Sequence, residues 1–177
     1  IPDYHLDLDP RPHKAYFTCN PHKDVHYLMG SCCDPQVWEN LRGHKVSLWH
    51  VHNDDKSVAW VAKNDPDYPA MGGGSSAGMR AIPVLHKMGW RRFNVHGMDC
   101  CYRGAARHAG PHNGKPQARI EIVAPSGARF ISSPQMVEEA RYLCKMMFHW
   151  QIEVRLHGYG LVQEMVRMTM DAFGKAA

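Results

Sequence analysis

Short runs of β-branched and aromatic residues, several alternating apolar with polar positions, punctuate the chain and read as strands: 4–8 (YHLDL), 25–29 (VHYLM), 45–51 (KVSLWHV), 92–96 (RFNVH), 118–123 (ARIEIV) and 152–157 (IEVRLH). Helical periods lie between most of them. Asp34 reads as an N-cap, with Pro35 at the first helical position of PQVWENLRG and Gly43 as its stop. Residues 76–88 repeat apolar side chains at Met79, Ile82, Leu85 and Met88, and Gly89 ends that helix. Pro83 lies inside it and is expected to kink it or to confine its regular part to one side. Ser133 and Pro134 open a third helix with a stripe of Met136, Val137, Ala140, Leu143, Cys144 and Met147, and residues 161–173 form a last one with Leu161, Met165, Met168 and Ala172. These methionine-rich stripes read as core.

Strands alternating with helices predict an α/β layer fold with a mainly parallel sheet. There is no internal repeat, low-complexity tract or linker. Residues 105–117 (AARHAGPHNGKPQ) form a polar loop without apolar period, either loose or a lid. At 177 residues, with 44% hydrophobic and 10% aromatic content, one good core and a single domain over residues 1–177 are expected.

Charge and cysteine usage narrow the setting. The formal charge is +4 with 13 histidines counted neutral, and no basic run exceeds two residues, so nucleic acid is not indicated as a partner and anionic small molecules suit the balance. The six cysteines, at 19, 32, 33, 100, 101 and 144, make no C-x-x-C spacing and read as small apolar residues of a reducing compartment. No apolar run approaches the ~18 residues of a membrane span, and IPDYHLDLDP lacks a signal peptide's basic and apolar regions. A cytoplasmic protein is therefore expected. The sequence starts at Ile1 inside a strand-like segment, so a preceding piece is expected to be missing.

In open parallel sheets the ligand lies beyond the carboxyl ends of the strands. The residues just after the strand-like runs are Asp7 and Asp9; His50, His52, Asn53, Asp54 and Asp55; His96, Gly97 and Asp99; and His157, Gly158, Tyr159 and Gly160. Asp7 and Asp9 share a face that is either a ligand face or a solvated edge. His50 and His52 share a face that suits a metal, although H-x-H fixes no third ligand. His108 and His112, four apart in the polar loop, are either a solvated pair or proton carriers near neutral pH. The most organised stretch is GGGSSAGMRAIPVLHKMGWRRFNVHGMDC, residues 72–100. A helix whose first turn carries Ser75, Ser76 and Gly78 presents backbone N–H groups and hydroxyls, donors that suit a phosphate. It has no Walker lysine and is not G-x-G-x-x-G, and the plain alternative is a flexible turn capping a core helix.

Together with the HLDLDPRPHK opening, YLMGSCCDPQVWENL, RHAGPH and HGYGLVQ, that stretch resembles the MptE-like domain family. The family takes its name from archaeal 6-hydroxymethyl-7,8-dihydropterin diphosphokinase and includes flagellin-modifying motility accessory factors and many phage proteins. The loop, helix and G-M-D return are also similar to those of Rossmann-like bacterial sialyltransferases. The resemblance spans most of the chain and implies a Rossmann-like three-layer sandwich. It places Gly73, Gly74, Ser75, Ser76 and Gly78 on nucleotide phosphates, Asp9 and Asp99 near the ribose, a Mg²⁺ ion or the acceptor, and His108 and His112 where a sialyltransferase-like site keeps its base. The family's first strand and glycine turn are expected to be absent before Ile1.

These implications define a nucleotide-dependent transferase. One version moves diphosphate from ATP to a hydroxymethyl acceptor with Mg²⁺; the other transfers sugar from a nucleotide sugar, with His112 or His108 as base and no metal. The other readings are a catalytically silent nucleotide-binding or assembly module of phage type, and a histidine-rich metal binder. The implied partners are a nucleotide and an acceptor, with a homo-oligomer left open.

Overall fold

The computed structural model describes residues 1–68, 70–104, 118–150 and 152–174, and for residues 170 and 172–174 the backbone alone. The chain forms two compact units, Ile1–Gly73 and Gly74–Ala177. Both mix helices with small sheets.

In the first unit, β1 (Tyr4–Asp7), β2 (His26–Gly30) and β3 (Val46–Trp49) make a parallel sheet in the order β1-β2-β3. Hydrogen bonding on both edges makes β2 the central strand, and Tyr27, Leu28 and Met29 are buried in it. A 3-10 helix (Pro12–Thr18) and α1 (Pro35–Asn40) connect the strands. The Asp34 carboxylate caps α1 by accepting from Gln36 N at 2.9 Å, with Pro35 at its start, as the sequence predicts. Val37 and Leu41 then pack with Ala15, Val25, Tyr27, Met29 and Cys33 into one apolar cluster.

α2 (Asp55–Asn64) was not legible from apolar period, because its only buried side chain is Val61. A local device starts it: the Asp54 carboxylate accepts from Ser57 N at 2.7 Å while Ser57 Oγ faces the Asp54 N–H at 3.1 Å.

The second unit runs α3 (Ala77–Lys87), β4 (Arg92–His96), β5 (Ile120–Val123), β6 (Arg129–Ser132), α4 (Pro134–Trp150), β7 (Glu153–His157) and α5 (Leu161–Gly174). β4 and β7 pair in parallel and in register, His96 opposite His157. β5 and β6 pair antiparallel across the Ala124–Ala128 turn, which corrects the expectation of a strand at 118–123 joining a parallel sheet. The short turn, with Gly127 at φ +84°, folds the chain straight back, and such a connection forces antiparallel pairing.

α3 runs on through Pro83, which is buried, so its regular part is not confined to one side of the proline. Its apolar stripe stops sooner than the spacing suggests: Met79 and Ile82 are buried but Met88 is exposed. The α4 stripe buries Met136, Ala140 and Leu143 as expected, and adds Met146. Met79, Ile82, Phe93, Leu143, Val154, Leu161 and Val162 belong to one core that draws on both helices and strands. Full burial of a side chain such as Leu143 contributes about 1.5–3 kcal/mol.

Candidate functional site in the second unit

Parallel pairing of β4 with β7 brings their carboxyl ends side by side, and with them the segments that continue from each strand. The imidazoles of His96 and His157 stack, centroids 4.1 Å apart and 7° from coplanar, and His157 Nε2 lies 3.2 Å from Asn94 Oδ1. Three residues on, Asp99 meets the turn that opens α5. Val162 N donates to the Asp99 carbonyl at 3.3 Å, and Gly160 lies so near that a Cβ on it would stand 2.4 Å from that oxygen. No other residue type fits there without a shift.

The glycine-serine loop arrives at the same edge. α3 begins beside the end of β4, and a Cβ on Gly78 would sit 3.0 Å from Met98 Cε. Gly74 adopts φ +82° against Met79, and its carbonyl accepts from Nε of the buried Arg80 at 2.6 Å. α4 also starts here, since Ser132 Oγ, two residues before it, donates to the Cys100 carbonyl at 2.8 Å. The first turns of α3, α4 and α5 thus gather around Met98, Asp99 and Cys100. Helix starts carry unpaired N–H groups and a partial positive charge, so their gathering favours an anion.

The two serines have different duties. Ser76 caps α3, its Oγ accepting from Met79 N at 3.4 Å. The Ser75 hydroxyl donates to Glu139 Oε1 at 2.5 Å and accepts from Gln135 Nε2 at 2.7 Å. A carboxylate therefore stands at the loop that the glycine-serine pattern assigns to phosphate. Glu139 is 64 residues from Ser75, and no local spacing signals it.

The Asp99 carboxylate is lightly engaged. Arg103 Nε and Nη2 approach Oδ2 at 3.2 Å, and Gln163 Nε2 lies 3.4 Å from Oδ1. Gln163 Oε1 is buried without a hydrogen-bond partner among the described residues, which places an acceptor beside Asp99. Cys100 holds φ +53°, unusual for a residue with a Cβ, and burial, with the Glu139 charge next, pushes its thiol up to about 12. Burial thus works against its thiolate form.

Of the other candidates, Asp9, Gly73, His50 and His52 belong to the first unit. Asp9 is in the first unit, where Arg11 grips both its carboxylate oxygens and Lys14 stands 3.7 Å away. The side-chain bond from Arg11 holds the Asp9 carboxyl below its usual range. Gly73 closes that unit, buried, at φ +144°. His50 is buried and its Nε2 meets Asp65 Oδ2 at 2.9 Å, whereas His52 is exposed. No group of three His, Cys, Asp or Glu among the described residues is arranged to hold a metal. His108 and His112 lie outside the described residues.

Fold and site together define a mixed α/β protein with small parallel sheets and a polar cluster at the carboxyl ends of a strand pair. No protein-family model, curated protein or solved structure matches the chain. No helix among the described residues is long and apolar enough to cross a membrane.

Proposed function

We propose that the chain is a nucleotide-dependent transferase whose second unit binds the nucleotide phosphates, in the manner that its resemblance to the MptE-like family implies. The supporting observation is the gathering of three helix starts and the Gly74–Gly78 loop around Asp99. Backbone donors there would hold the phosphate oxygens, and a fixed array of donors is what phosphoryl transfer needs, since its catalysis is mostly positioning and charge stabilisation. The Rossmann-like three-layer architecture belongs to the same proposal, as does a cytoplasmic setting, with which the six free cysteines agree.

Mg²⁺ suits this site through one carboxylate. The ion takes one or two carboxylates together with substrate phosphates, and Asp99 offers an oxygen whose protein contacts are long. When bound, Mg²⁺ supplies neutralisation of phosphate charge. Asp99 would hold it, Gln163 would orient Asp99, and Arg103 would release the carboxylate to face the phosphates. Asp9, already matched by Arg11 and Lys14, is not needed for this.

Thermal shift and calorimetry with ATP and Mg²⁺, CMP, UDP and GDP decide among the readings. Selective stabilisation by ATP with Mg²⁺, followed by AMP release on adding a hydroxymethylpterin, is the expected result for a diphosphokinase. Stabilisation by CMP or UDP alone would assign the site to sugar transfer. No response to any nucleotide would leave a binding or assembly module and reject the transferase.

A further inference from the structure

The turn from β7 into α5 carries a large ring that the core of the unit leaves uncovered. Tyr159 stands between Gly158 and Gly160 and is 66% exposed. Both glycines are pressed against Asp99. A Cβ on Gly158, at φ +114°, would stand 3.0 Å from Asp99 Oδ1, and one on Gly160 would overlap the Asp99 backbone. Each glycine Cα lies about 3.8 Å from that of Tyr159. The Tyr159 carbonyl accepts from Arg103 Nη2 at 3.4 Å, and the same guanidinium meets Asp99 Oδ2 at 3.2 Å. Three contacts thus hold the Tyr159 backbone beside Asp99.

The side chain has its own support. The Tyr159 ring rests on Phe130 of β6, centroids 5.6 Å apart and 41° between planes, and Phe130 belongs to the core. β6 in turn follows the segment after Asp99: Ser132 Oγ donates to the Cys100 carbonyl at 2.8 Å, and Tyr102 N to the Ile131 carbonyl at 2.7 Å. A surface tyrosine is ordinary in itself. This one combines a pinned backbone, a buried ring behind it and much of its own surface open, so a ligand stacking on it would order little that is not ordered already. The charged groups nearby have partners of their own, Arg103 with Asp99, and Glu164 with Ser126 and with Arg167 at 2.8 Å. The imidazoles of His96 and His157 already stack on each other, whereas no ring among the described residues lies parallel to Tyr159.

We propose that Tyr159 is the stacking platform for the flat ring of a ligand whose phosphates lie at Asp99. The ring is heteroaromatic, either the base of the nucleotide or the bicyclic ring of the acceptor, and it lies face to face on the phenol ring. The assignment rests on the phosphate reading of the Asp99 edge and adds a residue that recognises the ring where the helix starts recognise charge. Stacking tolerates a change of base, because every base has a π face. Tyr159 therefore sets affinity for a ring and leaves the choice among rings to other groups.

Calorimetry of the full chain in Mg²⁺ with inorganic triphosphate, ATP and 6-hydroxymethylpterin tests it. If the base is the stacked ring, ATP should bind about tenfold or more tighter than triphosphate, and Tyr159→Ala and Tyr159→Leu should erase that advantage while triphosphate binds as before. If the acceptor supplies the ring, both variants should weaken pterin binding about tenfold or more and leave ATP unchanged. Tyr159→Phe should match the wild type in either case. Leucine keeps apolar cover on Phe130, so it decides should the alanine variant fail to fold. Trp90→Ala, which removes a ring 51% exposed two residues before β4, should change little. Tyr159-dependent binding of ATP or pterin by a chain that ignores triphosphate would uphold the platform and remove the phosphate assignment. The inference is overturned by unchanged affinities in the alanine and leucine variants, by a parallel loss of triphosphate, by equal losses in Tyr159→Phe or Trp90→Ala, or by a wild-type chain that binds none of the three probes.

Discussion

Gly160 packs against the backbone of Asp99, leaving 2.4 Å between the Asp99 carbonyl oxygen and the place a Cβ would occupy. The contact joins the segment after β4 to the first turn of α5. Gly160→Ala must therefore move one of two backbones. Such overpacking costs about 1–3 kcal/mol, and Asp99 is displaced with it. Urea unfolding should show the loss, and nucleotide affinity should fall in the folded fraction. A variant as stable as the wild type would show that the two segments part easily.

The two serines of the loop should separate in experiment. Ser76→Ala removes the cap of α3, at a cost of about 0.5–2 kcal/mol, toward the low end because the bond to Met79 N is long at 3.4 Å. Glu139→Gln should act on binding, and in the favourable direction. If phosphate sits at this loop, the Glu139 carboxylate opposes it, and one unit charge at about 6 Å in water is worth roughly 0.7 kcal/mol. Calorimetry with ATP without Mg²⁺ should find affinity raised about threefold. Weaker binding would instead make Glu139 part of the receptor.

The pairing of Asp9 with Arg11 and Lys14 makes acid stability the measurement of choice. Its folded carboxyl titrates below the unfolded value of about 3.9, chiefly through the side-chain bond from Arg11. The stabilisation is thus present above about pH 4 and disappears as pH falls through the lower folded value. Asp9→Asn should cost less than about 1 kcal/mol at pH 7, because Arg11 is largely exposed, and the two stability curves should converge in acid. Parallel curves down to pH 2 would mean the pair contributes nothing.

Much of the fold is legible in the chain itself, and for local reasons. The Asp34–Pro35 start of α1, the Ser76 cap of α3 and the alternation of β4 and β7 are written within a few residues. Because β4 and β7 pair in parallel, the residues at and just beyond their carboxyl ends, His96, Asp99, His157, Gly158 and Gly160, share one edge, as the order of strands and helices implies. α2 escapes such a reading because its signal is a capping box without an apolar stripe. β6 escapes it because Arg129–Ser132 has only two apolar residues, Phe130 and Ile131, side by side between polar ends. Pairing over long separations leaves no trace either: Glu139 and Gln135 on Ser75, Arg80 on Gly74, and Gln163 on Asp99 become visible only when helices pack.

Asp99→Asn separates a functional carboxylate from a structural one. The backbone carbonyl of Asp99, which accepts from Val162 N, is untouched by the change, and the side chain's contacts with Arg103 and Gln163 are long. An ion pair with a partner as exposed as Arg103 is worth about 0–1 kcal/mol, so the melting temperature should hardly move. Binding should respond differently with and without metal. If Asp99 holds Mg²⁺ against the phosphates, affinity for ATP with Mg²⁺ should fall about tenfold or more, on the scale of a charge-assisted contact. Affinity for ATP alone should stay the same or rise, since a negative charge has left the phosphate site. A large loss of stability with unchanged nucleotide binding would make Asp99 a fastener of the α5 turn, and the Mg²⁺ assignment would fall with it.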